Sequence, residues 1–157
     1  MSQINVSLCK KEVLRDVWLT TSYAGAKAEN PTNCELFDRV TTVEEDADLL
    51  NKFWIESCSR MSDLLKDFTR SVSFDDESLQ MLIAVSTGFD MSLSDSIVHD
   101  IRKGMVAQIS AAWFQITLPE RAADRETEWQ KTADSLRSKL YHRRAPRRGG
   151  VVKLLSC

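Results

Sequence analysis

The sequence predicts a mainly α protein in which four helices form a bundle-like arrangement, with a small β element and an extended C-terminal arm. Three observations lead to this fold class. Apolar residues recur at helical spacing in four separate segments. Gly, Pro, Asn and Asp cluster between those segments, which is typical of turns. The last part of the chain is basic and contains no acidic residue. With 157 residues, the chain is long enough to bury a core in one domain.

The N-terminal segment combines a short strand with the first helix. Ile4, Val6 and Leu8 alternate with polar residues, as in a half-buried strand. From about Lys10 the period becomes helical, with an apolar stripe formed by Val13, Leu14, Val17 and Trp18. The stripe ends near Gly25, and residues 24–41, which contain Asn-Pro, are predicted to be a loop.

The second helix is predicted over residues 42–69. A capping box at its start is offered by Thr42 with Glu45, or by Thr41 with Glu44. Its apolar stripe consists of Leu50, Trp54, Cys58, Met61, Leu65 and Phe68. Such a helix would be ~40 Å long at 1.5 Å per residue, so it needs several neighbours along its length.

The third segment of the pattern is the small β element, at about residues 72–87. Val72 and Phe74 alternate with serine, and the apolar run 79–87 fits either a strand or one buried helical turn, with its β-branched residues favouring a strand. A hairpin of these two pieces, joined by the N-terminal strand, would have to lie on the helices.

Two more helices complete the domain. The third follows a cap at Ser92 or Ser94, and Gly104 within it would allow a close helix crossing. Its buried stripe is predicted to contain Val98, Ile101, Met105, Val106, Ile109, Ala112, Trp113 and Ile116. Pro119 suits the first turn of the fourth helix, over residues 119–143. Core packing is the favoured interpretation of all four tryptophans, Trp18, Trp54, Trp113 and Trp129.

The sequence contains none of the common catalytic motifs. It has no phosphate-binding glycine loop, nucleophile elbow, HExxH or dinucleotide fingerprint, so we predict no catalytic, cofactor or metal site and no enzyme activity. The acids at Asp75, Asp76 and Glu77 fit a solvated turn better than a cation site. His99 and Asp100 diverge by about 100° on a helix and do not converge on one substrate.

Cysteine usage and hydropathy indicate the compartment. The four cysteines are widely spaced with only two histidines, so a zinc site is not expected, and we predict free thiols in a reducing cytosol. No signal pattern is present, and no apolar run approaches the ~18 residues of a membrane span, so no membrane is expected.

Charge is distributed unevenly along the chain. Residues 139–157 carry six basic and no acidic side chains, whereas the first 138 residues carry 15 basic and 23 acidic ones, a net charge of −8. We divide the chain into a helical domain, 1–142, and a basic docking arm, 143–157. The arm passes a proline and two glycines before an apolar tip, Val151–Leu155, which suits β-strand addition to a neighbour's sheet edge. The residues predicted to dock are Tyr141, Arg143, Arg144, Pro146, Arg147, Arg148, Gly149, Gly150, Val151, Val152, Leu154 and Leu155.

At these residues the chain resembles a known family. The succession Leu93–Trp113, Leu118–Leu140 and Leu140-Tyr141-His142-Arg143-Arg144-Ala145-Pro146-Arg147 is similar to the C-terminal half of head–tail adaptor (head-completion or connector) proteins of tailed bacteriophages, including those of Bacteroides-like hosts and crAss-like phages. The acid-capped second helix also fits the pattern. The resemblance covers about residues 42–148 and consists of a helix pattern and one short motif.

The resemblance implies a non-enzymatic virion protein at the portal vertex, the head–tail junction, that is assembled in the host cytoplasm. Such adaptors form a ring, commonly of twelve copies, that docks on the portal protein and on further tail or ring proteins. Genomic DNA passes through the ring without sequence-specific binding. The exposed side of the second helix would supply the contact between subunits.

A second hypothesis of another class remains open on the residues alone. A small helical regulator could use the arginines of the tail to bind the phosphates of a nucleic acid. A dependence of binding on salt concentration would separate this reading from a docking arm.

Overall fold

The computed structural model describes residues 2–28 and 42–143, with side chains from residues 2–26 and 42–143. This part of the chain is mainly helical, with four α-helices and a three-stranded antiparallel sheet. The elements in order are β1 (Ser2–Cys9), α1 (Lys10–Ala28), a 3-10 turn (Glu44–Asp46), α2 (Ala47–Leu65), β2 (Thr69–Phe74), β3 (Ser78–Val85), a 3-10 turn (Met91–Leu93), α3 (Ser94–Thr117) and α4 (Pro119–Tyr141).

The sheet has the order β1-β3-β2, so the N-terminal strand pairs with the second strand of the hairpin. Ile4 lies opposite Ile83 and Val6 opposite Met81, and these side chains are buried on one face. The alternation of apolar and polar residues in the sequence therefore predicted the buried face of β1. Residues 79–85, for which the sequence allowed a strand or a helical turn, form a strand. The hairpin is longer than predicted, because β2 already begins at Thr69.

The helices are arranged around α3. It packs most extensively along α4 and also contacts α1, α2 and β1. These neighbours cover most of the circumference of α3. Its fully buried residues include Ile101, Met105 and Ile109. The sheet in turn lies against α1, α2 and α3.

The close helix crossing predicted at Gly104 is present. A Cβ atom at this position would lie 2.9 Å from Cζ3 of Trp129 and 3.2 Å from Cε of Met61. Trp129 belongs to α4 and Met61 to α2, so the absence of a side chain lets three helices approach at one level. Real Cβ atoms essentially never come within 3.0 Å of another atom.

Several predicted helix ends are wrong. α1 continues through Gly25 to Ala28, so the predicted loop 24–41 starts later, and its remainder, 29–41, lies outside the described residues. α2 spans 47–65 where 42–69 was predicted, because a 3-10 turn precedes it and its last predicted turn gives way to β2. α4 stops at Tyr141, two residues before the predicted end.

The predicted caps also differ from the observed ones. Thr42 is buried, and its hydroxyl shares a hydrogen bond with Oγ1 of Thr21, at 3.4 Å, instead of capping a helix. The carboxylate of Asp46 accepts the backbone N–H of Val43 instead, at 2.9 Å. At the start of α3, the side chain of Asp90 caps the 3-10 turn by accepting from the N–H of Ser92.

Two apolar residues assigned to the core are exposed. Trp18 on α1 is 48% exposed and Ile116 near the end of α3 is 62% exposed. In α1 the buried positions recur every four residues, at Val13, Val17, Thr21 and Gly25, so the covered stripe is too narrow to include Trp18. The other three tryptophans, Trp54, Trp113 and Trp129, are buried as predicted.

Candidate docking surface

The end of α4 is tied to the start of α3 by a partly buried polar cluster. The Nζ of Lys139 donates to Oγ of Ser96 at 2.6 Å and also forms a salt bridge with Oδ2 of Asp100. Oγ of Ser135 donates to the same carboxylate oxygen, at 2.9 Å. Since Asp100 is only 9% exposed, its charge is screened little by solvent and its pairing with Lys139 fixes the last turns of α4.

The first residues of the predicted docking arm leave this helix at a defined place. The rings of Tyr141 and Phe68 meet edge to face, with centroids 5.1 Å apart. Arg143 forms an antiparallel β-bridge with Phe89, and its Nη1 donates to the carbonyl oxygens of Leu140 and His142, each at 3.2 Å. The chain therefore passes between the start of β2 and the segment that follows β3.

The structure brings together only part of the predicted docking set. Tyr141 and Arg143 are described, and both are exposed, Tyr141 to 62%. The other predicted docking residues lie outside the described residues: Arg144, Pro146, Arg147, Arg148, Gly149, Gly150, Val151, Val152, Leu154 and Leu155. The sequence did not indicate Phe68 and Phe89 as neighbours of Tyr141 and Arg143, because no local pattern links these distant positions.

The open edge of the sheet lies next to the point where the chain leaves α4. Within the described part of the chain, β2 pairs with β3 and with no other strand. Every residue of β2 from Arg70 to Phe74 is exposed, including Val72 at 41% and Phe74 at 37%. An edge strand with apolar side chains is a template for pairing with another chain.

The turn between β2 and β3 carries the acids that the sequence singled out. Oδ1 of Asp75 accepts the backbone N–H groups of Glu77 and Ser78, at 2.8 and 2.9 Å, and these two hydrogen bonds hold the pKa of Asp75 below its ordinary value. The carbonyl oxygen of Asp75 also accepts from Nε1 of Trp54, at 2.8 Å. This carboxylate therefore holds the turn, and no group of three potential metal ligands occurs in the described ranges.

A separate surface feature is a groove between α1 and α4, with α3 as its floor. Two adjoining cavities of about 440 and 370 Å³ share Thr20 and Arg125 on their walls. Its charges are compensated by ion pairs, such as Arg102 with Asp16 at 2.8 Å and Arg125 with Glu128 at 2.7 Å. His99 lines this groove while Asp100 faces Lys139, so the two residues do not converge on one site.

Exposed apolar side chains extend from this groove along the outer side of α1. Leu19 and Tyr23 line its wall and are 52% and 67% exposed, next to Trp18. We call Trp18, Leu19 and Tyr23 the α1 patch. By contrast, α2 carries none of the strongly exposed large apolar side chains of the described residues. The sequence predicted the contact between subunits on the exposed side of α2, whereas exposed apolar side chains lie on α1 and on the edge strand β2.

Comparisons of the chain with models of protein families, with curated proteins and with solved structures found no match. Among the described helices, none is long and apolar enough to cross a membrane.

Proposed function

We propose that the protein is a structural subunit of a head–tail connector ring in a tailed bacteriophage. In this proposal a four-helix bundle-like adaptor domain docks on the portal through the C-terminal arm, 143–157, and the ring extends the DNA channel toward the tail. The observation that carries the proposal is the start of a basic arm at a fixed point on an acidic body. The resemblance of residues 42–148 to phage adaptors supports it.

The charge distribution favours contact between unlike surfaces. The first 138 residues carry a net charge of −8 and residues 139–157 carry +6. The arm of one copy is therefore attracted to the body of another copy or to an acidic rim of the portal. Such a head-to-tail contact is heterologous, and it generates a closed ring if the rotation between copies permits closure.

An acidic body also suits a channel for DNA. Phosphate contacts require lysine or arginine side chains, so a channel wall with few of them lets DNA pass without being bound. The α1 patch offers the apolar surface that a neighbouring subunit would cover, since contiguous apolar side chains mark interaction sites.

The proposal is tested by electron microscopy of the purified protein, alone and mixed with the portal protein of the same phage. We expect rings, with about twelve copies as the resemblance implies, or rings that form only on the portal. A protein that stays monomeric and does not bind the portal would contradict the proposal.

A titration with duplex DNA at several salt concentrations tests the second candidate, a nucleic-acid-binding regulator. If the four arginines of the arm contacted phosphates, the plot of log affinity against log salt would have a slope of about −3.6. Tight DNA binding with this slope, in a protein that forms no rings, would favour the regulator over the connector.

A further inference from the structure

The open edge of β2 is the best-defined acceptor for another segment of polypeptide. The regular part of this strand is short, because a bulge interrupts the pairing with β3 between Thr69 and Ser71. Ser71–Phe74 pairs regularly with Leu79–Leu82, and its outer side has no strand partner among the described residues. An added strand of four or five residues would match this regular part.

The two faces of β2 differ in what they offer. Val72 lies opposite Met81 and Phe74 opposite Leu79, and both partners are buried, so Val72 and Phe74 belong to the core-facing side of the sheet. They are nevertheless 41% and 37% exposed. The core side of the sheet is thus left uncovered at this edge, and an added strand with apolar side chains on that side would cover it.

One segment of the chain has the required composition. Val151–Leu155 has the sequence Val-Val-Lys-Leu-Leu and follows two glycines. In an antiparallel register with Val152 opposite Phe74, Leu154 falls opposite Val72, and Lys153 falls opposite Ser73 on the solvent face. A shift by one residue would place Lys153 on the apolar side, so the alternation of side chains favours this register.

Charge favours the same antiparallel direction. In that register Arg147 and Arg148 come to lie beyond Phe74, next to the turn that carries Asp76 and Glu77. A parallel strand would place these arginines at the other end of β2, where the neighbouring charges are Lys66, Asp67 and Arg70 and no comparable acidic turn is present.

The position of the arm favours a donor from another copy. Arg143 lies at the Thr69 end of β2, since Tyr141 packs on Phe68 and Arg143 bridges Phe89. The arm of the same chain would have to run the length of β2 and then reverse, so its outgoing residues would compete with the tip for the same edge. A second copy can present its tip in the antiparallel direction without this conflict.

We infer that the edge of β2 binds the C-terminal tip, Val151–Leu155, of a second copy of this chain as an antiparallel fourth strand. The inference rests on the proposed function in one respect, because it assigns the contact between neighbouring subunits of the proposed ring. It replaces α2 with the edge of β2 as the contact surface between subunits and assigns Arg147 and Arg148 to the Asp76–Glu77 turn.

Directed disulfide formation tests the pairing. The background carries Cys9→Ser, Cys34→Ser and Cys157→Ser and keeps Cys58, which is fully buried with a thiol pKa raised to about 12, so that it does not react. Chains with Ser73→Cys are mixed with chains that carry Lys153→Cys. Directly opposite residues of antiparallel strands have the Cα separation that a disulfide needs, so we expect a cross-linked dimer.

The matched control uses the other edge of the sheet. Asn5→Cys lies on β1, exposed and on the same solvent face as Ser73, and should cross-link to Lys153→Cys at least about tenfold less. Equal yields at the two edges would overturn the inference. So would a link that forms only within single chains carrying both substitutions, since that result would identify the chain's own arm as the occupant.

Exchange of charges tests the direction. Asp76→Arg with Glu77→Arg should lower the yield of cross-linked dimer several-fold, and Arg147→Glu with Arg148→Glu on the donor chain should restore it. Failure of this reciprocal rescue would overturn the antiparallel assignment. Circular dichroism of each variant confirms that the body remains folded.

Ring formation, measured separately by electron microscopy, distinguishes the two proposals. Rings that assemble without the link between residues 73 and 153 would overturn the docking inference and leave the connector function standing. A link between copies that form neither rings nor a complex with the portal would support the docking inference and contradict the connector function.

Discussion

Gln108 is the side chain of the core whose environment fits it least. It lies on α3, is 4% exposed, and neither atom of its amide has a hydrogen-bond partner in the described part of the molecule. Burial of an amide without partners costs free energy, because its hydrogen bonds to water are lost and not replaced.

We therefore expect Gln108→Met to raise the free energy of unfolding by about 1 kcal/mol, since methionine has a similar shape and no polar group to desolvate. Urea unfolding measures the change. Gln130→Met is the control, because Gln130 is exposed on α4 and donates to Glu126 at 3.4 Å. A loss of stability in the Gln108 variant would show that the amide has a partner in solution.

Asp75 links the β2–β3 turn to the stability of the protein in acid. Because two backbone N–H groups stabilise its carboxylate, its pKa in the folded state lies below the reference value of 3.8. The stabilisation is present above the unfolded pKa and is lost as pH falls through the folded pKa. Asp75→Asn keeps an oxygen acceptor but does not titrate. We expect the Tm of the wild type to fall more steeply below about pH 5 than that of the variant, and parallel curves would contradict this assignment.

At the scale of elements, the crossing of three helices at Gly104 is the tightest constraint. Alanine favours helix by about 1 kcal/mol over glycine, but its Cβ would overlap the ring of Trp129. Overpacking of this kind costs about 1–3 kcal/mol, so we expect Gly104→Ala to lower the free energy of unfolding despite the gain in helix propensity.

Thermal and urea unfolding measure this effect, and Trp129→Phe supplies the matched test. The atoms nearest to the added Cβ, Cζ3 and Cε3 of Trp129, belong to the six-membered ring that phenylalanine lacks in this position. The double variant should therefore lose less stability than the sum of the single variants. Additive losses, or a Gly104→Ala variant more stable than the wild type, would show that the crossing can relax.

Helices and strands could be predicted from the sequence where the spacing of apolar residues alone determines the type of element. The stripe Leu50, Trp54, Cys58, Met61 and Leu65 is buried as expected, and the apolar run 79–85 is a strand. Their ends were less predictable, because a 3-10 turn shifts the start of α2 and the change from helix to strand at Thr69 carries no proline or glycine signal. The exposure of Trp18 depends on which helices cover α1, and no local sequence pattern indicates these neighbours.

At the scale of the whole molecule, the candidate docking surface likewise could be predicted only in part from the sequence. The sequence identified Tyr141 and Arg143 through their place in a basic, acid-free segment, and the structure gives them neighbours, Phe68 and Phe89, that are distant in sequence. These contacts depend on the packing of α4 along α3, where Lys139 pairs with Asp100, so they could not be read from either segment alone.

The body of the protein should fold without the end of the arm, because the described residues 2–28 and 42–143 already bury large side chains such as Trp54, Phe114 and Leu136 completely. Deletion of residues 145–157 removes three basic side chains and no acid, which changes the net charge of the chain from −2 to −5. We expect the helical circular dichroism spectrum to persist and the free energy of unfolding to change by less than about 0.5 kcal/mol, as for surface changes in general. Association between copies, measured by sedimentation velocity, should be lost, because Arg147, Arg148 and the apolar tip are missing.

The matched control deletes only Ser156 and Cys157, which leaves the tip Val151–Leu155 intact and should preserve association. Raising the salt concentration should weaken association of this control and of the full chain alike, since pairing of the arm with the acidic turn is screened over about 10 Å at 0.1 M salt. If the longer deletion associates as well as the full chain, the contact between copies is made by the body, and the α1 patch becomes the surface to alter. If it unfolds, the arm belongs to the core, and the division of the chain at residue 143 is wrong.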